Sequence, residues 1–306
     1  MVKNQLTFYS LLFFEKNEKI INLSRFNSDK KKEIIYSKMA LNLSKSIHKQ
    51  GFKHILITNQ KQKIKSLVNY NYPIYEIKFN KLLNKKTKFY SAHFKIDVLK
   101  LLSKKKNKSC LIDLDILITK KFTKKFLYLL KNYNLLYSLD YNLYNKKINL
   151  TYKLLANLNF KTPKWYGGEF ILGEPIFFKR LYSQIMKIYP NYIKNLNYLF
   201  HVGDETLINS AIHILLKKNE IFFKDIKNFN IICRYWSILN DDLTKIKYAM
   251  NNIFLHLPSD KVFLAKINVD DYNFKELKKV YLEYHQYFWK KLILKLKNKI
   301  KVFLNL

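Results

Sequence analysis

Two rhythms of apolar and polar positions alternate along the chain. Residues 6–14 form a short, nearly unbroken apolar run, as expected of a strand covered on both faces. In residues 29–50 the rhythm changes: Ile34, Ile35, Met39, Leu41, Leu43 and Ile47 recur at helical spacing until Gly51 ends the pattern. Residues 54–58 predict a second strand, followed by a polar helix and a third strand over 73–77. Residues 89–102 read as a helix with Phe94, Val98, Leu101 and Leu102 on one face. Residues 109–118 read as one apolar strand interrupted only by two aspartates. A helix over 122–133 and a strand over 135–139 follow. Beyond them lie a glycine-rich turn over 165–173 and helices over 175–189 and 204–218. Short strands alternating with helices predict an α/β fold with a mainly parallel central sheet flanked by helices.

The last segment follows another pattern. Leu277, Tyr281, Tyr284, Phe288, Leu292, Leu296, Ile300 and Phe303 recur every three or four residues, and lysines such as Lys278, Lys279, Lys290 and Lys291 fill the remaining surface. This predicts a basic amphipathic C-terminal helix over 271–306 after a main domain over 1–270. Its stripe either packs on the domain or, with Trp289, lies on an anionic leaflet.

Composition adjusts the picture in two places. Net charge is +35, but of 57 basic residues only Arg25, Arg180 and Arg234 are arginine. Arginine is the residue suited to bidentate phosphate and base-edge contacts, so a lysine coat does not describe a nucleic-acid reader. It reads first as a solvated coat, and second as attraction to an anionic surface, membrane or polyanion. Cys110 and Cys233 stand far apart in apolar contexts and read as reduced thiols. The apolar run near the N-terminus is too short to span a membrane and no small-residue cleavage site follows it, so a cytoplasmic protein is expected.

The chemistry concentrates at Asp113 and Asp115, two acids inside the run Leu111–Ile118. Burying a carboxylate without a charge partner costs several kcal/mol or more. Residues i and i+2 of a strand share a face, so both acids are expected to converge on one divalent cation at the carboxyl end of a strand. Hard oxygen ligands suit Mn²⁺ or Mg²⁺, which as a Lewis acid would neutralise a diphosphate leaving group.

On these residues the chain resembles the GT-A glycosyltransferases, whose metal site is an Asp-x-Asp at the end of a core strand. The likeness takes in further segments and covers most of residues 90–261. Residues 90–97 resemble the helix preceding that strand, which implies a donor-nucleotide role for Lys95 and, more weakly, His93 and Asp97. Trp165–Gly173 holds three of the five glycines and resembles the stretch lining the donor sugar in glycosyltransferase families 6 and 8. Gly167 and Gly168 would then permit positive φ or close approach to a ligand, Glu169 would meet sugar hydroxyls, and Trp165 would stack on an acceptor. The run Asp204-Glu-Thr-Leu-Ile-Asn209 is similar to the catalytic stretch of family 6, and less closely to that of family 8. Both families retain anomeric configuration, which implies Glu205 as nucleophile or transition-state stabiliser and Asp204 on sugar hydroxyls. Residues 251–261 resemble the His-x-x-Gly-x-x-Lys element of family 8, one residue shorter and without its glycine. That implies His256 as third metal ligand and Lys261 on the diphosphate. Arg234 is left between a structural ion pair and a phosphate contact.

The implied activity is metal-dependent, retaining transfer of a sugar from a nucleotide-diphosphate sugar to a glycan or lipid-linked glycan, such as a surface polysaccharide or lipopolysaccharide. The expected location is cytoplasmic, peripheral on the inner membrane face, with no nucleic-acid partner. A metal-dependent nucleotidyltransferase is the second reading, although residues 10–25 lack the glycine-rich phosphate loop it needs. A non-enzymatic lysine-rich membrane- or nucleic-acid-binding protein is the third, and it leaves Asp113 and Asp115 unexplained.

Overall fold

The computed structural model describes residues 5–15, 28–80, 87–141, 144–237 and 243–287. In chain order, β1 (Leu6–Leu12) leads to α1 (Asp29–Lys49), β2 (Lys53–Thr58), α2 (Lys61–Leu67) and β3 (Ile74–Glu76). A 3-10 turn over Tyr90–Phe94 runs into α3 (Lys95–Leu102), then β4 (Lys108–Ile112), β5 (Ile116–Ile118) and α4 (Lys124–Asn132). Next come β6 (Leu135–Leu136), β7 (Ser138–Leu139), α5 (Asn145–Ala156), β8 (Trp165–Tyr166) and β9 (Phe170–Gly173). The long helices α6 (Pro175–Lys194) and α7 (Asp204–Lys217) precede β10 (Lys224–Asp225), β11 (Ile232–Arg234) and α8 (Leu243–Ala249). β12 (Phe254–His256), α9 (Lys261–Lys266) and a C-terminal helix over 274–287 complete the described chain.

The main sheet has the order β10-β6-β9-β4-β1-β2-β3. β1 pairs parallel with β2 and β4, β2 with β3, and β10 with β6, whereas β9 is antiparallel to β4 and β6. Both faces are covered, which is why its strands read as continuous apolar runs. Along β1, β4 and β9 the side chains alternate between two cores. Phe8, Cys110, Ile112, Phe170 and Leu172 join α1 and α4 on one face. Tyr9, Leu111 and Ile171 join α3, α6 and α7 on the other. Helix α1 therefore crosses over one face between β1 and β2, while α3 precedes β4 on the opposite face. That reversal makes the carboxyl ends of β1 and β4 a topological switch point, where open α/β sheets leave a crevice.

Several expectations need correction. The apolar run over 109–118 is not one strand. It breaks after Ile112, and β5 belongs to a separate three-stranded sheet ordered β11-β12-β5. The Asp113-Leu114-Asp115 bend joins the two sheets: the Asp113 N–H donates to the Glu169 carbonyl at 3.0 Å, and the Leu257 N–H to the Asp115 carbonyl at 2.8 Å. Residues 135–139 likewise divide at Tyr137 between β6 and β7, which lie in different sheets. Residues 165–173 are not simply a turn, because β9 sits inside the main sheet. Helix α6 continues through Pro190 to Lys194, and α5 was not foreseen.

Over residues 274–287 the apolar stripe packs on the domain. Leu277 and Tyr281 are buried in the main core. The Tyr281 hydroxyl donates to Asp260 at 2.8 Å, and the Tyr235 hydroxyl lies 2.8 Å from His285 Nε2. The remainder of the basic helix, with Trp289, lies outside the described residues. Among the described residues no helix is long and apolar enough to cross a membrane.

Candidate active site

The crevice at the switch point is a cavity of about 450 Å³ whose lining includes Asp113, Asp115, Lys95, Asp204, Glu205, Arg234, His256 and Lys261. The fold explains why residues so far apart meet there. Asp113 leaves the end of β4. Antiparallel pairing of β12 with β5 sets His256 opposite Ile116, beside Asp115, and parallel pairing of β11 with β12 sets Arg234 next to His256. Lys95, Asp204 and Lys261 begin α3, α7 and α9.

Asp113, Asp115 and His256 each offer a ligand atom, and these atoms all lie within 4.8 Å of one another. Lys95 Nζ is 2.7 Å from Asp113 and 3.0 Å from Asp204, and it donates to the Gly168 carbonyl at 3.2 Å. Lys261 is paired with Asp115. His256 donates from Nε2 to Asp115 at 3.1 Å and from Nδ1 to Glu169 at 2.8 Å. Arg234 bridges Glu169 and Glu205, with Nε donating to Glu169 at 2.8 Å. Glu205 also accepts from Trp165 Nε1 at 2.8 Å and from the Gly168 N–H at 3.2 Å.

These contacts set the charges. Burial raises the Asp113 carboxyl to about 6, Lys95 pulling it down and Asp115 pushing it up. Burial would raise Asp115 too, but Lys261 and His256 hold it well below the usual carboxylate range. Burial would lower His256, yet Asp115 and Glu169 bring it up to about 9. Burial would raise Glu169 and Glu205 as well, but Arg234, with His256 beside Glu169 and His201 beside Glu205, holds both below the usual carboxylate range. Burial would discharge Lys95 and Lys261, and their carboxylate partners prevent it.

The donor set fits a hard divalent cation. Two carboxylates and one imidazole converge, and among the described residues the five acids Asp113, Asp115, Glu169, Asp204 and Glu205 share ion pairs with three permanent cations, Lys95, Lys261 and Arg234. With His256 neutral, as a metal ligand must be, the cluster carries an excess of two negative charges, which a divalent ion would balance.

Lys95 is buried in ion pairs rather than solvated. Gly167 and Gly168 have no positive φ, which among glycines occurs at Gly51. Both are needed for close approach to protein: a Cβ on Gly167 would meet the Tyr137 ring at 2.4 Å, and one on Gly168 would meet Glu205 Cγ at 2.8 Å. Glu169 is fully enclosed, with no exposed surface to offer a sugar, and Trp165 is a core residue that anchors Glu205. His93 and Asp97 lie off the cavity, His93 against Tyr192 and the Phe89 carbonyl, Asp97 against Asn80. Arg234, left open from sequence, is the hub that joins Glu169 and Glu205. The available signal was its rarity, one of three arginines, at the end of an apolar strand.

The sequence matches no protein-family model and no curated protein. The fold does have counterparts among solved structures. It aligns with the crystal structure of an active-site mutant of LgtC at a TM-score of 0.52 and 9% identity, over 86% of this chain and 98% of that one. An apo structure of the bifunctional glycosyltransferase WbbM gives 0.48 at 10% identity, over 82% of this chain and 45% of that one. Apo mouse xyloside xylosyltransferase 1 gives 0.48 at 10% identity, over 81% and 96%. The mixed sheet, its flanking helices and the likeness to LgtC give the chain a GT-A-type fold.

Proposed function

We propose that the chain is a metal-dependent glycosyltransferase, moving a sugar from a nucleotide-diphosphate sugar to a glycan with retention of configuration. One observation carries the reading: two carboxylates and an imidazole gather within 4.8 Å at the floor of the switch-point cavity. Bound there, Mn²⁺ or Mg²⁺ supplies Lewis-acid neutralisation of the diphosphate. Asp113, Asp115 and His256 hold the ion. Lys261 turns from Asp115 towards the phosphates, and Lys95 fixes Asp113 and Asp204 in register. Asp204 meets sugar hydroxyls at the first turn of α7.

Glu205 is the acidic group for the anomeric centre. Arg234, Trp165 and Gly168 place donors on both of its oxygens, which suits a fixed counter-charge to an oxocarbenium-like transition state better than a nucleophile. Phe89, Tyr141, Phe200 and Trp236 also line the cavity and supply it with aromatic surface for a sugar acceptor. A lipid-linked or surface glycan on an anionic inner membrane face, met from the cytoplasm, goes with the lysine coat. A screen of nucleotide sugars with Mn²⁺, scored by release of nucleoside diphosphate, tests the reading. Glu205→Gln should still bind donor but lose transfer by about two orders of magnitude or more; wild-type transfer in that variant would remove Glu205 from the chemistry.

A further inference from the structure

Glu169 is an acid with no surface exposure, flanked by Gly168 and the buried Phe170. Such a group persists only with full charge compensation. Its compensation comes from two sides of the site. Arg234 grips it bidentately, with Nε on Oε1 at 2.8 Å and a terminal nitrogen on Oε2. The same terminal nitrogen reaches Glu205, and the other donates to the Tyr141 hydroxyl at 3.1 Å. From the other side come His256 Nδ1, at 2.8 Å, and the Tyr137 hydroxyl.

Resting on the transferase reading, the structure assigns Glu169 and Arg234 as a positioning pair that ties the metal-binding His256 to Glu205. Charge gives the first reason. Arg234 alone would cancel the Glu205 carboxylate. Glu169 takes up that positive charge, so the three groups keep one net negative charge. Of the two carboxylates it is Glu205 that meets the cavity, its side chain 14% exposed against 0% for Glu169. Direction gives the second. A carboxylate behind an imidazole fixes the ring and its tautomer, leaving Nε2 to face the ligand oxygens. A lysine cannot take the arginine's place, because a point-like ammonium does not hold two carboxylates in one plane. The pair is itself braced by backbone: Arg234 is in register with His256, and the Glu169 carbonyl accepts from Asp113 N–H.

The test compares full-length Glu169→Gln, Arg234→Lys and the double variant with wild type. Mn²⁺ affinity is read by electron paramagnetic resonance without sugar nucleotide, kcat and KM by nucleotide-sugar hydrolysis, and folding by thermal melts. Glu169→Gln should weaken Mn²⁺ binding ~10- to 100-fold through His256. Arg234→Lys should cut kcat ~100-fold at constant KM, because it frees Glu205, and should weaken Mn²⁺ binding less than Glu169→Gln does, because Glu169 still backs His256. Losses of Mn²⁺ affinity and kcat that merely track the melting temperature in both variants would overturn the assignment, as would Mn²⁺ affinity untouched in Glu169→Gln. If wild type hydrolyses no sugar nucleotide, the transferase reading fails on its own, and the Mn²⁺ arm still decides whether Glu169 serves His256.

Discussion

Replacing Gly168 by alanine puts one methyl group against the centre of the site. The new Cβ would lie 2.8 Å from Glu205 Cγ and 3.3 Å from Asp204 Oδ2. Carbon atoms prefer about 3.5–4.0 Å, so Glu205 must retreat by roughly 0.7 Å. A free glutamate would do so at little cost. Glu205 is not free, since Arg234, Trp165 and the Gly168 N–H hold both oxygens. Retreat stretches the 3.2 Å bond from Gly168 beyond useful range. Overpacking costs about 1–3 kcal/mol, and weakening a hydrogen bond to a charged group about 1.5–3 kcal/mol. Gly168→Ala should therefore lose ~2.5–6 kcal/mol of stability in urea unfolding. Its donor-hydrolysis kcat should fall ~100-fold through misplacement of Glu205. No positive φ is involved, so backbone strain does not enter. Wild-type stability together with wild-type kcat would refute the packing argument.

Three further outcomes follow from buried charges. His54 is fully buried, and burial, helped by His48, lowers its pKa to about 3. The unfolded chain takes up that proton first, so stability should fall as pH drops below the unfolded value of 6.5 and level off near 3; that is roughly 2 kcal/mol lost between pH 6.5 and 5, and His54→Gln should flatten the slope in urea titrations. Lys261→Met strands Asp115 with His256 alone, so the metal-free protein should lose about 3–5 kcal/mol, while Mn²⁺ binds more tightly because no ammonium competes; weaker Mn²⁺ binding by calorimetry would contradict this. Tyr281→Phe deletes a buried hydroxyl that donates to Asp260 and should cost ~1–3 kcal/mol; an unchanged urea midpoint would show that the C-terminal helix is not anchored there.

The main sheet was legible because its strands are covered on both faces and its helices carry regular stripes. Helices α1 and α7 fall within a residue of their expected limits for that reason. The Asp113–Asp115 bend was not legible as a bend: an apolar run looks alike whether it continues or passes into a second sheet, and only the pairing of β5 with β12 decides. The aspartates themselves stood out because acids in an apolar run demand partners. Glu169 misled for a related reason. Beside two glycines it looked like a ligand contact, but its partners Arg234 and His256 lie 65 and 87 residues away, a separation no local pattern encodes. Residues 140–164 alternate lysine and asparagine with apolar positions so weakly that α5 emerged only from the burial of Ile148, Tyr152 and Leu155.

The most direct check is nucleoside diphosphate released from a panel of sugar nucleotides, with and without Mn²⁺, by wild type and Asp115→Asn. Release from one donor should vanish with chelator and fall by orders of magnitude in the variant. Turnover that ignores both chelator and Asp115→Asn would contradict it.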